Sequence, residues 1–338
     1  MRVAGRYPCN VEYRDLDEES QIAEVAKLVP NILAKYGVEA QSVENVNHSY
    51  NSTFKVQSAT GEYALRINLG SARSTNQVLA EMQWLEALAE EGSLLTPIPI
   101  RTLDNELCVS THFTALDRVT TAVLAKWIPG EEVGEEPNNE QLYEMGRAIA
   151  MLQKFAKNFT FQLDAYRPTI NRTLMDLVDN LRGEQPSAIN DKLYSQIIRG
   201  LNLCDAVYEK LSSQEDLLLV HADLHIFNVI QSNGRLGVID FDDCGIGLPI
   251  QDLVITNYYL REDRQREEYV KAGYSSLLEL PKISEEDYET LLLGRALLLV
   301  GTILDMTAAE DVAAIPGFLK KVEHRLDHYF ATGQFALI

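Results

Sequence analysis

The sequence is short of basic side chains: 30 lysines and arginines stand against 50 aspartates and glutamates, a formal net charge of −20. That balance argues against a nucleic-acid binder and against docking on an anionic membrane surface. It leans toward cationic partners, although the same charge also serves solubility. Cysteines are few and scattered (Cys9, Cys108, Cys204, Cys244), with no C-x-x-C pair. This fits a reducing cytoplasm and no zinc module. A long apolar run is missing too. The most apolar stretch, LLLGRALLLVGTIL, holds Arg295 and two glycines and stops at Asp305. It is too short to span a bilayer and reads as a buried helix. The opening stretch, MRVAGRYPCNVEYRDLDEE, has no apolar signal core, so a cytoplasmic location is expected. Repeats and low-complexity tracts are absent.

The 338 residues, 46% of them hydrophobic, suffice for one large or two medium domains with a full core. The first third reads as β-rich and the rest as helical. A helix is expected over 18–36, broken near Pro30 and ended by Gly37. Thr53–Val56 and Tyr63–Ile67 alternate as strands about the turn Thr60-Gly61. A helix is predicted over Thr75–Glu91, closed near Gly92. Pro97 and Pro99 mark an extended re-entry, and strands follow around Leu107–Val109 and Thr120–Ile128. The acidic segment Glu131–Glu140 reads as a linker, and Ser284 as the start of a late helix.

The chemistry concentrates in LLLVHADLHIFNVIQSNGRLGVIDFDDCGIGLP. Leu217–Val220 reads as a short strand that delivers His221 and Asp223 to a loop. Asn228 follows Asp223 by five positions, and a second strand, Leu236–Ile239, ends at Asp240. Asn233-Gly234 is the hairpin signal between the flanking strands. Carboxylates and a carboxamide at strand ends are hard oxygen donors, suited to Mg2+ and phosphates. Phosphoryl transfer needs an oriented hydroxyl, neutralised phosphate charge and in-line geometry. Asp223 would orient the acceptor hydroxyl and take its proton late, while Asn228 and Asp240 would hold the metal. A rival reading takes His221, Asp223 and His225, at alternate positions, as a transition-metal cluster of a hydrolase. It has no use for Asn228.

The segment resembles the aminoglycoside phosphotransferase and choline kinase superfamily, small-molecule relatives of protein kinases. The resemblance rests on H-x-D-x-x-x-x-N, here His221 to Asn228, followed by Ile239-Asp240-Phe241-Asp242. It implies an α+β, bilobal, protein-kinase-like fold: a small antiparallel β N-lobe (1–128, with a helical extension at 18–36) and a larger, mainly helical C-lobe (129–338) with the catalytic hairpin. ATP and Mg2+ would lie between the lobes. Arg66 in YALRI stands where related kinases place lysine, and Glu81 would be its partner on the next helix. Arginine can grip phosphate in two bonds, but its reach differs. No G-x-G-x-x-G precedes it; instead the loop Asn47–Thr53, with Asn51 and Ser52, would cover phosphates through backbone and hydroxyl groups. An ordinary hairpin loop is the alternative. Adenine would meet Ala125–Trp127. His221 and Asp252 read as supports of the loop, and Asp242 as an acidic neighbour of the metal site.

The acceptor is the least determined element. Tyr258, Tyr259, Arg261 and Arg295 are candidates to face its pocket. An ATP-dependent kinase of a small-molecule hydroxyl is expected. A stress-response-type protein Ser/Thr kinase, a homoserine-kinase-like enzyme, a metallohydrolase and an inactive nucleotide-binding scaffold stay open.

Overall fold

The computed structural model describes residues 13, 16–70, 73–306 and 309–338; Cys9 lies outside them. The helix expected over 18–36 is in fact two. Asp17 starts α1 (Glu18–Ala26) by accepting from the Ser20 N–H. The second, α2 (Val29–Lys35), carries Pro30 in its first turn, where a missing N–H is harmless. The break therefore falls just ahead of the proline. Gly37, at φ +66°, ends the helical run.

A five-stranded antiparallel sheet follows, built from β1 (Ala40–His48), β2 (Asn51–Ser58), β3 (Gly61–Asn68), β4 (Val109–Phe113) and β5 (Arg118–Lys126) in the order β1-β2-β3-β5-β4. Alternation sends Phe54, Val56, Leu65, Ile67 and Leu124 to one face. There they pack with Val25, Val29, Ile32 and Leu33 of the two helices. Burying side chains of this size contributes about 1.5–3 kcal/mol each. The opposite face carries Arg66, aligned with Thr53 on β2 and Val123 on β5. Ala64 and Ala125 pair one step further along that face. The Pro97–Pro99 segment is extended, as its prolines implied. Ile98 accepts from the Lys126 N–H at 2.9 Å and Ile100 donates to Leu124 at 2.8 Å. The prolines take the alternate positions, where no ladder donor is needed.

The caps fix α3 (Thr75–Glu91) at both ends. Ser74 and Gln77 form a reciprocal capping box, and Gly92 closes the helix at φ +76°. Its Trp84 meets Phe241 of the later hairpin edge to face at 5.3 Å, which ties the sheet region to the helical one.

The acidic segment is more than a linker. Glu131–Glu132 forms β6, which pairs with Gln231 and Ile230 of the hairpin. Gly130 permits the approach: at φ +148°, an added Cβ would lie 2.4 Å from the Gln231 carbonyl oxygen. Asn138 then caps α4 (Asn139–Ala156). The rest is α5 (Asp191–Ser212), β7 (Leu218–Val220), β8 (Val229–Ser232), β9 (Arg235–Val238), β10 (Gly245–Gly247), α6 (Ile250–Tyr258), α7 (Arg264–Ser275), α8 (Glu285–Asp305) and α9 (Ala309–Thr332). β6, β8 and β9 form one small sheet, β7 and β10 another. The apolar stretch around Arg295 lies inside α8, buried from Asp287 through Leu298. No helix of the described residues is long and apolar enough to cross a membrane.

Candidate active site

β8 and β9 are joined by Asn233-Gly234, at φ +48° and +77°, the two left-handed residues a two-residue turn of this kind demands. On the other side, β7 ends at Val220 and hands the chain to His221. Ala222 takes φ +64°, a conformation that costs a non-glycine residue about 1–2 kcal/mol. Asp252, in the first turn of α6, holds it there. Its Oδ1 accepts the Ala222 N–H at 2.8 Å, and its Oδ2 accepts from Gln153 at 3.1 Å. His221 is fully buried. Its Nδ1 accepts the Asp223 N–H at 3.2 Å and its Nε2 faces the Ile239 carbonyl at 3.1 Å. Those partners assign the proton to Nε2 of a neutral ring. Burial pushes the imidazole pKa down to about 4. Both side chains therefore brace the loop from behind.

Asp223 is engaged on both oxygens. Oδ2 accepts from Asn228 Nδ2 at 2.9 Å and lies 3.4 Å from His225 Nε2. Oδ1 takes an ion pair from Arg295 on α8, whose Nη2 also donates to the Tyr259 hydroxyl at 3.0 Å. Burial alone would raise the Asp223 carboxyl. The Arg295 guanidinium, with His225 and His221 nearby, outweighs it and holds the group far below the usual carboxylate range. Because the Asn228 amide nitrogen is spent on Asp223, its carbonyl oxygen is left as the donor for another partner.

Asp240, at φ +60°, follows the end of β9 by two residues and is exposed. The protein around it, with Asp223, Asp242 and Asp243 adding charge and Arg66 opposing, pushes its carboxyl up to about 7. Across the cleft, Arg66 Nη2 donates to Glu81 at 2.6 Å and lies 3.7 Å from Asp242 Oδ1. Glu81 is 1% exposed on α3. Burial works against the Arg66 charge, but Glu81 and Asp242 more than offset it. Asn51 donates to Asp242 Oδ2 at 3.1 Å, and Asp242 Oδ1 is buried with no hydrogen bond. Two arginines not foreseen hold this segment. Arg73 pairs with Asp176 and, at 3.0 Å, with Asp243. Arg167 donates to the Asp242 and Cys244 carbonyls and, at 3.0 Å, to Gln77. Neither sits in a local pattern; only the fold brings them in.

The remaining residues named from the sequence fare unevenly. The loop expected over Asn47–Thr53 is only Ser49 and Tyr50, because β2 already begins at Asn51. Ser52 is fully buried and its hydroxyl is taken by Asn45 and His48. Its side chain is not free to meet a phosphate. Ala125 lies on the Arg66 face, and Trp127, half-buried, stacks under Lys55 at 4.8 Å. Tyr258 bonds to Arg325, and Arg261 is locked to Glu267 and Glu289, so neither side chain joins Asp223. Both ring nitrogens of His221 are engaged. Among the described residues, no group of three or more His, Cys, Asp or Glu side chains is arranged to hold a metal ion. The alternate-position metal cluster thus finds no geometric support. Two cavities, about 500 and 460 Å3, lie away from this chemistry, one lined by Phe159, Phe161 and Leu217–Leu219, the other by Arg261, Arg264 and Pro281. The convergence of charged groups, rather than cavity size, marks the site.

Comparison with known proteins agrees with that geometry. The chain is similar to the amicoumacin kinase of Bacillus subtilis (strain 168), 27% identical over 247 residues, 71% of this chain and 68% of that protein. Its fold is similar to that of a microcompartment-associated aminopropanol kinase, with a TM-score of 0.74 at 22% identity over 94% of this chain and all of the other. It is also similar to an amicoumacin kinase in complex with AMP-PNP, Ca2+ and Ami, with a TM-score of 0.70 at 20% identity over 93% and 95% of the two chains. The kinase-like α+β fold expected from the hairpin is borne out. The family model described as the phosphotransferase enzyme family matches residues 42–284. A match over most of the length, which takes in Arg66, Glu81 and the segment from His221 to Asp243, settles the assignment: this chain belongs to the phosphotransferase enzyme family.

Proposed function

We propose that the chain transfers the γ-phosphoryl group of ATP, with Mg2+, to a hydroxyl of a small molecule. The observation that carries this reading is the meeting, in one cleft, of Asp223, Asn228 and Asp240 from the hairpin with Arg66 from the sheet. The segment up to Ile128 serves as the nucleotide lobe, and the segment from Pro129 as the acceptor lobe. Arg66, fixed by Glu81, pairs with phosphate oxygens, and adenine sits against the Ala64 and Ala125 face.

The donors present fit a hard divalent cation. Asp240 carries a carboxyl raised by burial and by its acidic neighbours, and Asp242 Oδ1 is buried with no hydrogen bond, Arg66 lying 3.7 Å away. Such crowded negative charge is relieved by a cation. Mg2+ is commonly held by one or two carboxylates together with phosphates rather than by a protein cage, so Asp240 and the Asn228 carbonyl suffice. Bound there, the ion would neutralise phosphate charge. Asp223 orients the acceptor hydroxyl and receives its proton as transfer completes. The related proteins named for amicoumacin and aminopropanol support a small hydroxyl-bearing acceptor over a protein. The test has two stages: calorimetry for Mg2+-dependent ADP binding, then ATP consumption over a panel of hydroxyl acceptors. ADP binding that ignores Mg2+ would sink the reading.

A further inference from the structure

We infer that Arg295 recognises the acceptor, and that this acceptor carries an anionic group, such as a carboxylate, close to the hydroxyl that receives the phosphoryl group. The inference rests on the reading of Asp223 as the residue that orients that hydroxyl. Arg295 is 7% exposed, and its hydrogen bonds to Asp223 Oδ1 and to the Tyr259 hydroxyl both leave from Nη2. Its Nε is buried and has no partner among the described residues. A guanidinium offers five coplanar N–H donors and matches a carboxylate in two parallel bonds. Buried donors are rarely left unpaired, and an unpaired one beside a proposed catalytic group points to a ligand.

The surroundings fix the guanidinium in place. It lies 5.6 Å from the Tyr259 ring, and the His225 ring packs on Tyr259 at 4.3 Å. Met175, Ala222, Ile255 and Leu298 form an apolar cluster against which Tyr259 packs. An ammonium group arriving here would face a like charge in poorly hydrated surroundings. A carboxylate would meet a cation whose only bonded carboxylate among the described residues is the proposed base. By taking a share of Arg295, it would release Asp223 to bond the hydroxyl. The acidic balance of the whole chain leans the other way, and Asp243 also acts on Arg295, but neither forms a bond to the guanidinium as Asp223 does. Arg295 touches the group that handles the reacting oxygen, and charge interactions weaken with distance and with water.

The test uses the full chain with ATP, Mg2+ and short hydroxy acids and hydroxy amino acids, each beside its own carboxamide. Wild type is expected to favour acid over amide by about tenfold or more in kcat/KM. Arg295→Met is expected to collapse that ratio, whatever happens to the overall rate. Arg295→Lys keeps the charge, and so guards against a folding failure, but loses the planar fork; its ratio should drop by about threefold or more. A ratio unchanged in either variant overturns the inference, as does a wild type that turns over only neutral or amine acceptors. In both cases the phosphotransferase reading survives if ADP and Mg2+ still bind. Absence of that binding in wild type overturns both.

Discussion

Arg66, partly buried, and Arg295, buried, both meet a carboxylate of the same segment, but among the described residues Arg66 alone bonds a second carboxylate of its own. Glu81, on α3, neutralises Arg66 from outside the hairpin, and Asp242 is a more distant neighbour at 3.7 Å. Among the described residues Arg295 bonds no such second carboxylate: its hydrogen bonds go to Asp223, the residue proposed to handle the acceptor, and to a tyrosine hydroxyl. The proposed nucleotide end of the cleft is therefore preorganised, with Arg66 held by Glu81 whether or not the hairpin changes. At the acceptor end the cation and the proposed catalytic carboxylate neutralise each other. A buried pair of that kind is easily disturbed by removing or competing for one member. Selectivity should therefore be set at the acceptor end, and affinity for the nucleotide at the other.

The largest effect is expected at the proposed metal site. Asp240→Ala should weaken Mg2+-dependent ADP binding by about a hundredfold or more, whereas Asp223→Ala should stay within about threefold of wild type, under 1 kcal/mol. Calorimetry with ADP and Mg2+ reads both. A large loss in Asp223→Ala would merge the two ends proposed for the cleft. The next effect in size is at Arg66. Arg66→Ala should weaken ATP by about tenfold or more, the equivalent of about 1.5–3 kcal/mol for a charge-assisted contact, and leave adenosine nearly unchanged. Arg66→Lys should keep part of the activity. Equal weakening of ATP and adenosine would reduce Arg66 to a structural role.

What could be read from the sequence was local. The ends of α3 followed from Ser74, Gln77 and Gly92, because caps act within one turn. The hairpin followed from Asn233-Gly234, because those φ values suit few other residues. The resemblance that rested on His221, Asp223, Asn228 and Asp240 carried the family. Non-local pairing was hidden. Glu131–Glu132 alternates no hydrophobic residues, so only its partner β8 makes it a strand. Ser52 looked like part of a polar loop because its burial depends on Asn45 and His48. Arg73, Arg167 and the Arg295–Asp223 pair join segments far apart in the chain, and single arginines announce no partner. The signal that existed for Arg295 was its presence in an otherwise apolar helix, where an unpaired charge is too costly to stand alone.

The smallest expected effect concerns the scaffold beneath Asp223, and it is a matter of sign. Burial pushes His221 down to about 4 and the Asp252 carboxyl up to about 6. Below about pH 6.5 the unfolded chain takes up a proton on histidine that folded His221 refuses until about pH 4, so His221 makes stability fall as pH falls. Asp252 does the reverse. The folded chain binds its proton below about pH 6, while the unfolded carboxyl waits until about pH 3.9, so stability rises as pH falls. Between about pH 4 and 6 these slopes, each at most about 1.4 kcal/mol per pH unit, offset one another. Asp252→Asn removes the second slope while leaving an oxygen for the Ala222 N–H. Its stability should therefore drop more steeply than that of wild type over this window, by up to about 1 kcal/mol per pH unit. Urea unfolding at a series of pH values measures the difference directly. Parallel profiles for the two proteins would mean that His221 and Asp252 do not brace the Asp223 loop in the protonation states assigned to them, and the rigidity of the acceptor end would then need another source.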